Sequence, residues 1–129
     1  MNTVKAGGTI RTKGSHQLVN GLDHLDTLNQ RTLKSAVACD GIGLHTGDAV
    51  AMTLRPADAG AGIAFTRTDI AGSEPIRARW DRVVDTRLCT TLGHDDGHTV
   101  STVEHLMAAF AGCGVDNAFV EVDGPELPI

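Results

Sequence analysis

Glu104 and His105 are neighbours, an acid beside an imidazole, within Thr99 to Asn117, T-V-S-T-V-E-H-L-M-A-A-F-A-G-C-G-V-D-N. An ionised carboxylate is what a general base requires, and a neutral imidazole is what a metal ligand requires. The positive end of a helix macrodipole favours both states together, because it stabilises carboxylate and disfavours imidazolium. That chemistry is metal-assisted hydrolysis: His105 holds Zn²⁺, and Glu104 takes the proton from a water that attacks a carbonyl. The local spacing does not complete such a site. H-E-x-x-H would put two imidazoles on one helical face, but the positions four away from His105 are Ser101 and Ala109. A catalytic zinc takes three protein ligands and an open position. The other donors, His45, His94, His98 and Cys89, have no ligand spacing to His105. Further ligands must come from distant parts of the chain or from outside it.

The element that positions the pair reads as one amphipathic helix. Val103, Leu106, Met107 and Phe110 recur at i, i+3, i+4 and i+7, an apolar stripe directed at a sheet. Ser101-Thr102-Val103-Glu104 fits a capping box, with Ser101 as the cap and Glu104 reaching back to the cap amide. Gly112 and Gly114 are placed to end the helix, one of them in the left-handed conformation. On the helix pattern alone the plainer readings lead: Glu104 a capping acid, and His105 a hydrogen-bonded, partly buried imidazole beside Ala108 and Ala109.

Strands precede the helix. Thr32 to Ala38 alternates and should end at a turn, Asp40-Gly41-Ile42-Gly43; Asp48 to Arg55 alternates at Val50, Met52 and Leu54 and stops at Pro56. A short strand starts at Ile63, another covers Ile76 to Arg79, and Trp80 to Val83 is a helical turn or bend. Thr86 to Leu92 is β-prone, with Leu88, Thr90 and Leu92 on one face, and Gly93 to Gly97 is a polar loop. Ala118 to Val122 closes the order, and Pro125 and Pro128 exclude regular structure after it. Several strands, one strong helix and a last strand predict an α+β fold: a mixed or antiparallel sheet with one or two helices on one face. Residues 30–129 form the expected domain. Residues 1–29 are polar, with scattered glycines, and are expected to be a mobile leader.

Composition bounds the partners. The 129 residues allow one domain; apolar content is 41% and net charge −5, the wrong sign for a dedicated nucleic-acid binder. A single Trp and no Tyr leave no aromatic platform for stacking bases. Three dispersed cysteines without C-x-x-C fit reduced thiols in the cytoplasm. No apolar run approaches the roughly 20 residues of a membrane span.

Several segments, in order, resemble one family: Q-R-T-L-K at Gln30, G-I-G-L-H-T-G at Gly41, D-T-R-L-C-T at Asp85, T-V-E-H-L-M-A-A-F-A-G-C-G-V-D-N-A at Thr102 and P-E-L-P-I at Pro125. They are similar to the N-terminal half of the UDP-3-O-acyl-N-acetylglucosamine deacetylases, zinc amidases of lipid A biosynthesis. The resemblance implies that Glu104 is the general base, His105 a zinc ligand, and Leu88, Cys89 and Thr90 a strand lining the substrate site. It implies a fold of two similar α+β halves with the site between them. The missing C-terminal half would supply a histidine and an aspartate to the metal, and a histidine acting as general acid. His45 matches a family histidine, yet a turn residue packed beneath the glycine loop is the expectation for it. The chain ends where the family continues into a D-G-S segment, so a truncated chain, inactive alone, is expected.

Two other readings stay open. One is a non-catalytic α+β module that binds a partner chain through the exposed helix face. The other is nucleotide-sugar binding without catalysis, on Gly41, Gly43 and Gly47. These glycines do not form G-x-G-x-x-G opening a helix, and no P-loop lysine follows. Arg77, Arg79, Arg82 and Arg87 alternate with acids and read as a solvated face.

Overall fold

The computed structural model describes Asn2–Val4 and residues 29–129. Apart from Asn2–Val4 and Asn29, the expected leader therefore lies outside the described residues. In chain order the elements are β1 (Asn2–Val4), β2 (Gln30–Thr32), β3 (Val37–Ile42), β4 (Ala49–Pro56), β5 (Ile63–Arg67) and β6 (Ile76–Arg77). A single 3₁₀ turn at Trp80–Arg82 leads to β7 (Val83–Asp85), β8 (Thr91–Gly93), β9 (Thr99–Val100), α1 (Glu104–Cys113) and β10 (Ala118–Val122).

The main sheet has the order β3-β4-β10-β5-β6. The last strand in sequence lies at its centre, antiparallel to β4 and parallel to β5. Sequence explains that placement. Ala118, Val120 and Val122 alternate inward along β10 and are fully buried, and Val50 and Met52 do the same from β4. These side chains join Phe65, Ile76, Leu92, Val100, Val103, Phe110 and Leu127 in one core. The second sheet, β7-β8-β9, is antiparallel, and β1 pairs with β2 as a separate two-stranded ribbon. Among the described residues, the mixed sheet and one α-helix make the fold α+β, as expected.

The helix stripe also lies where its spacing predicts. Val103 and Phe110 are buried, and Leu106 and Met107 pack against the same core. Of the two candidate glycines, Gly114 ends the helix, in the left-handed region at φ 66°. Its N–H donates to the Ala111 carbonyl at 3.1 Å, and the Val115 N–H donates to the Phe110 carbonyl at 2.8 Å. That is the paired bonding of a Schellman motif, closed by apolar contact between buried Phe110 and Val115.

Three local expectations are corrected. Asp40-Gly41-Ile42 is not a turn: β3 runs through Ile42, and the reversal follows at Gly43–Asp48, closed by the Gly43 N–H to the Asp48 carbonyl at 2.9 Å. Thr86 to Leu92 is not one strand; β7 ends at Asp85, the chain bends through Arg87–Cys89, and β8 begins at Thr91. Arg87 causes the break, folding back to Asp85 with its backbone N–H at 3.0 Å and its guanidinium at 2.6 Å. The third correction is the capping box. Val103 is the residue before the helix, no side chain caps it, and Ser101 instead lies in a bridge with Glu126.

Candidate active site

The start of α1 is built by contacts remote in sequence. Thr102 is buried and has φ 59°, a left-handed conformation that a β-branched residue adopts only when its surroundings impose it. They do so from both sides. Ser101 N–H donates to the Pro125 carbonyl at 2.8 Å, Leu127 N–H donates to the Ser101 carbonyl at 3.1 Å, and the Thr102 hydroxyl donates to Glu126 Oε1 at 2.8 Å. The chain is thereby turned sharply into the helix, with Glu104 as its first residue.

Glu104 is half-buried, and its carboxylate is oriented. Oε2 accepts the Thr90 backbone N–H at 2.9 Å, while the Thr90 carbonyl accepts the Val103 N–H at 3.3 Å. Thr90 thus clamps the first turn from both of its backbone groups. Among the described residues, Oε1 of Glu104 has no hydrogen-bond partner. His105, expected to be partly buried, is exposed. The helix places it on the opposite side from the core stripe, on a face shared with exposed Ala108, Ala109 and Gly112.

Glu126 is the residue that sequence reading missed. It is 1% exposed, yet every donor around it is satisfied: the His45 N–H (3.0 Å) and Thr102 hydroxyl reach Oε1, and the Thr46 N–H reaches Oε2 at 2.9 Å. Burial raises its pKa, but these hydrogen bonds outweigh that effect and hold it below the ordinary carboxylate value. One buried carboxylate therefore ties the G-L-H-T-G reversal to the strained residue that starts α1. Gly43 is required for this approach. A Cβ there would lie 2.3 Å from Thr46 Oγ1 and 2.7 Å from Glu126 Oε2.

An open cavity of about 520 Å³ adjoins this knot, lined by His45, Thr46, Asp85, Arg87, Leu88, Cys89, Thr91, Ser101, Pro125 and Glu126. Leu88 and Cys89 line it, and Leu88 is 83% exposed. Thr90 does not; its structural partner is Glu104. His45 also lines the cavity and is exposed, not packed beneath the glycine loop as expected. Asp85 stays ionised there, its carboxyl held well below the usual range by the Arg87 guanidinium. Among the described residues no second or third ligand gathers at His105. His94 and His98 lie together with Asp96 elsewhere, in the turn between β8 and β9. The arginines form exposed pairs, Arg79 with Asp81 and Arg82 with Asp95, as a solvated face predicts. No described helix is long and apolar enough to cross a membrane.

The profile of the UDP-3-O-acyl N-acetylglycosamine deacetylase family matches residues 30–129. A UDP-3-O-acyl-N-acetylglucosamine deacetylase of Citrifermentans bemidjiense is 56% identical over 100 residues, 78% of this chain and 32% of the relative. A protein of the same name from Myxococcus xanthus is 58% identical over 101 residues, again 78% and 32%. One from Pseudoalteromonas atlantica is 55% identical over 102 residues, 79% and 34%. The chain thus spans about a third of the length of the curated relatives it matches.

Proposed function

Because this chain belongs, through residues 30–129, to the UDP-3-O-acyl N-acetylglycosamine deacetylase family, we propose that it carries one half of a zinc-dependent deacetylase site. The substrate is UDP-3-O-acyl-N-acetylglucosamine, the reaction is hydrolysis of its 2-acetamido bond to acetate and a free amine, and the setting is lipid A biosynthesis in the cytoplasm. The observation that carries the reading is the first turn of α1. There a carboxylate anchored through one oxygen by Thr90 sits next to an imidazole that no core contact occupies.

In this reading Glu104 is the general base. The Thr90 N–H fixes Oε2, so Oε1 is left to accept the proton of the attacking water. His105 is one metal ligand, and a histidine and an aspartate from the second half complete the set. A zinc ion held by His105 and those two ligands would supply Lewis-acid chemistry, polarising the carbonyl and lowering the pKa of water. A single imidazole does not hold such an ion, which is why the described residues alone make an incomplete site. Leu88 and Cys89 contribute one wall of the substrate cavity, with Thr90 positioning the base behind it.

The exposed face of His105, Ala108, Ala109 and Gly112 supports a second reading, a module that binds a partner chain without catalysis. An enzyme completed by joining residues 30–129 to the remaining two-thirds of a relative separates the two. Glu104→Gln is expected to lower kcat by about 10²- to 10⁴-fold with zinc content unchanged, and His105→Ala to lose the zinc of the active site. Unchanged turnover in Glu104→Gln would remove it from the chemistry and leave the binding module.

A further inference from the structure

The turn between β8 and β9, H-D-D-G-H, brings His94, Asp96 and His98 together so that one ligand atom of each lies within 4.8 Å of the others. The backbone makes this convergence. His94 N–H donates to the His98 carbonyl at 2.9 Å, Gly97 sits at φ 95°, and the two rings stack 4.9 Å apart. Spacing of i, i+2 and i+4 scatters side chains on a helix but gathers them on a tight turn.

The protonation pattern of His98 distinguishes this cluster from an ordinary surface group. Its Nε2 lies 3.1 Å from the Glu74 carbonyl and 3.3 Å from the Ser73 hydroxyl. A carbonyl only accepts, so Nε2 carries the hydrogen, and in the neutral ring Nδ1 is a lone pair. That Nδ1 is buried without a hydrogen-bond partner, on a side chain 6% exposed. Asp96 Oδ1 faces it at 2.5 Å and also accepts the His98 backbone N–H at 3.1 Å. His94 Nδ1 lies 3.2 Å from the same oxygen. It receives only a long contact, 3.4 Å, from the Asp96 N–H, so its lone pair is also turned inward. Lone pairs and a carboxylate converging on one point repel unless a proton or a metal cation lies between them.

We propose that His94, Asp96 and His98 bind a divalent transition-metal ion of the zinc class. Two imidazoles and one carboxylate favour zinc, cobalt or nickel over magnesium and calcium, which prefer all-oxygen sets. The Glu74 carbonyl acts as the outer partner that fixes the tautomer of a ligating histidine. The ion locks the β8–β9 turn, and through His98 it fastens the three-stranded sheet to the Ser73–Glu74 segment that precedes β6.

The test is calorimetric titration of the chelator-stripped 129-residue chain with Zn²⁺ and, in parallel, Mg²⁺, with Co²⁺ absorption reporting the ligand type. One equivalent of Zn²⁺ is expected in the chain and in His105→Ala, with no comparable heat from Mg²⁺. Asp96→Asn and His94→Ala should each weaken it about tenfold or more. Asp96 is exposed and Asn keeps its shape, so the far-UV spectrum and urea midpoint of Asp96→Asn should match those of the parent without metal. Zn²⁺ affinity unchanged in both turn variants, or no Zn²⁺ uptake by the parent chain near neutral pH, would overturn the assignment.

Discussion

The central residues are Glu104, Thr102 and Glu126, and only the first declares itself in the sequence. Glu126 lies between two prolines, where no periodicity marks it, and its partners lie 24 and about 80 positions away. Its chemistry is legible only once the chain is folded. Replacing it by Ala leaves the His45 and Thr46 amides and the Thr102 hydroxyl without their acceptor. From the usual worth of hydrogen bonds to a charged group, that should cost on the order of 2–4 kcal/mol in urea unfolding. The pH dependence has a definite sign. Because the folded-state pKa of Glu126 is lowered, its contribution is fully present above the unfolded value, about 4.3, and is lost as pH falls below it toward the folded value. The difference in stability between the parent and Glu126→Gln should therefore narrow on acidification below about pH 4. A difference that stays constant from pH 7 to pH 3 would show that the carboxylate charge is not what binds the loop.

At the scale of elements, what repeats was readable and what depends on distant contacts was not. Val50 and Met52 in β4, and Val120 and Val122 in β10, alternate in the sequence as they alternate in the sheet. The apolar stripe of α1 and its glycine stop were legible for the same reason. The helix start was not. S-T-V-E has the spacing of a capping box, but Ser101 is held in a bridge to Glu126 and Glu104 turns to Thr90, so tertiary contacts override the local motif. The strand expected over Thr86 to Leu92 failed similarly, because β-propensity at Leu88 and Thr90 yields to the Asp85–Arg87 pair that bends the chain. The helix stop gives a prediction at this scale. Gly114→Ala places a Cβ at φ 66° and should destabilise the chain by about 1–2 kcal/mol, measured by urea denaturation. Gly112→Ala, within the same helix and with open space around it, should be neutral or mildly stabilising by comparison.

At the scale of the whole molecule, the described residues form a folded α+β unit with its own core, yet they hold one candidate catalytic base and one candidate ligand for the proposed chemistry. The stripe of α1 is used up in that core. Its other face, carrying His105, is bare. The most direct measurement is acetate release from UDP-3-O-acyl-N-acetylglucosamine by three samples: this chain, the remaining two-thirds of a relative, and the two joined in one polypeptide. Turnover is predicted only for the joined protein, with zinc bound tightly only there at His105. Turnover by the chain alone at the rate of the joined enzyme would contradict the shared site.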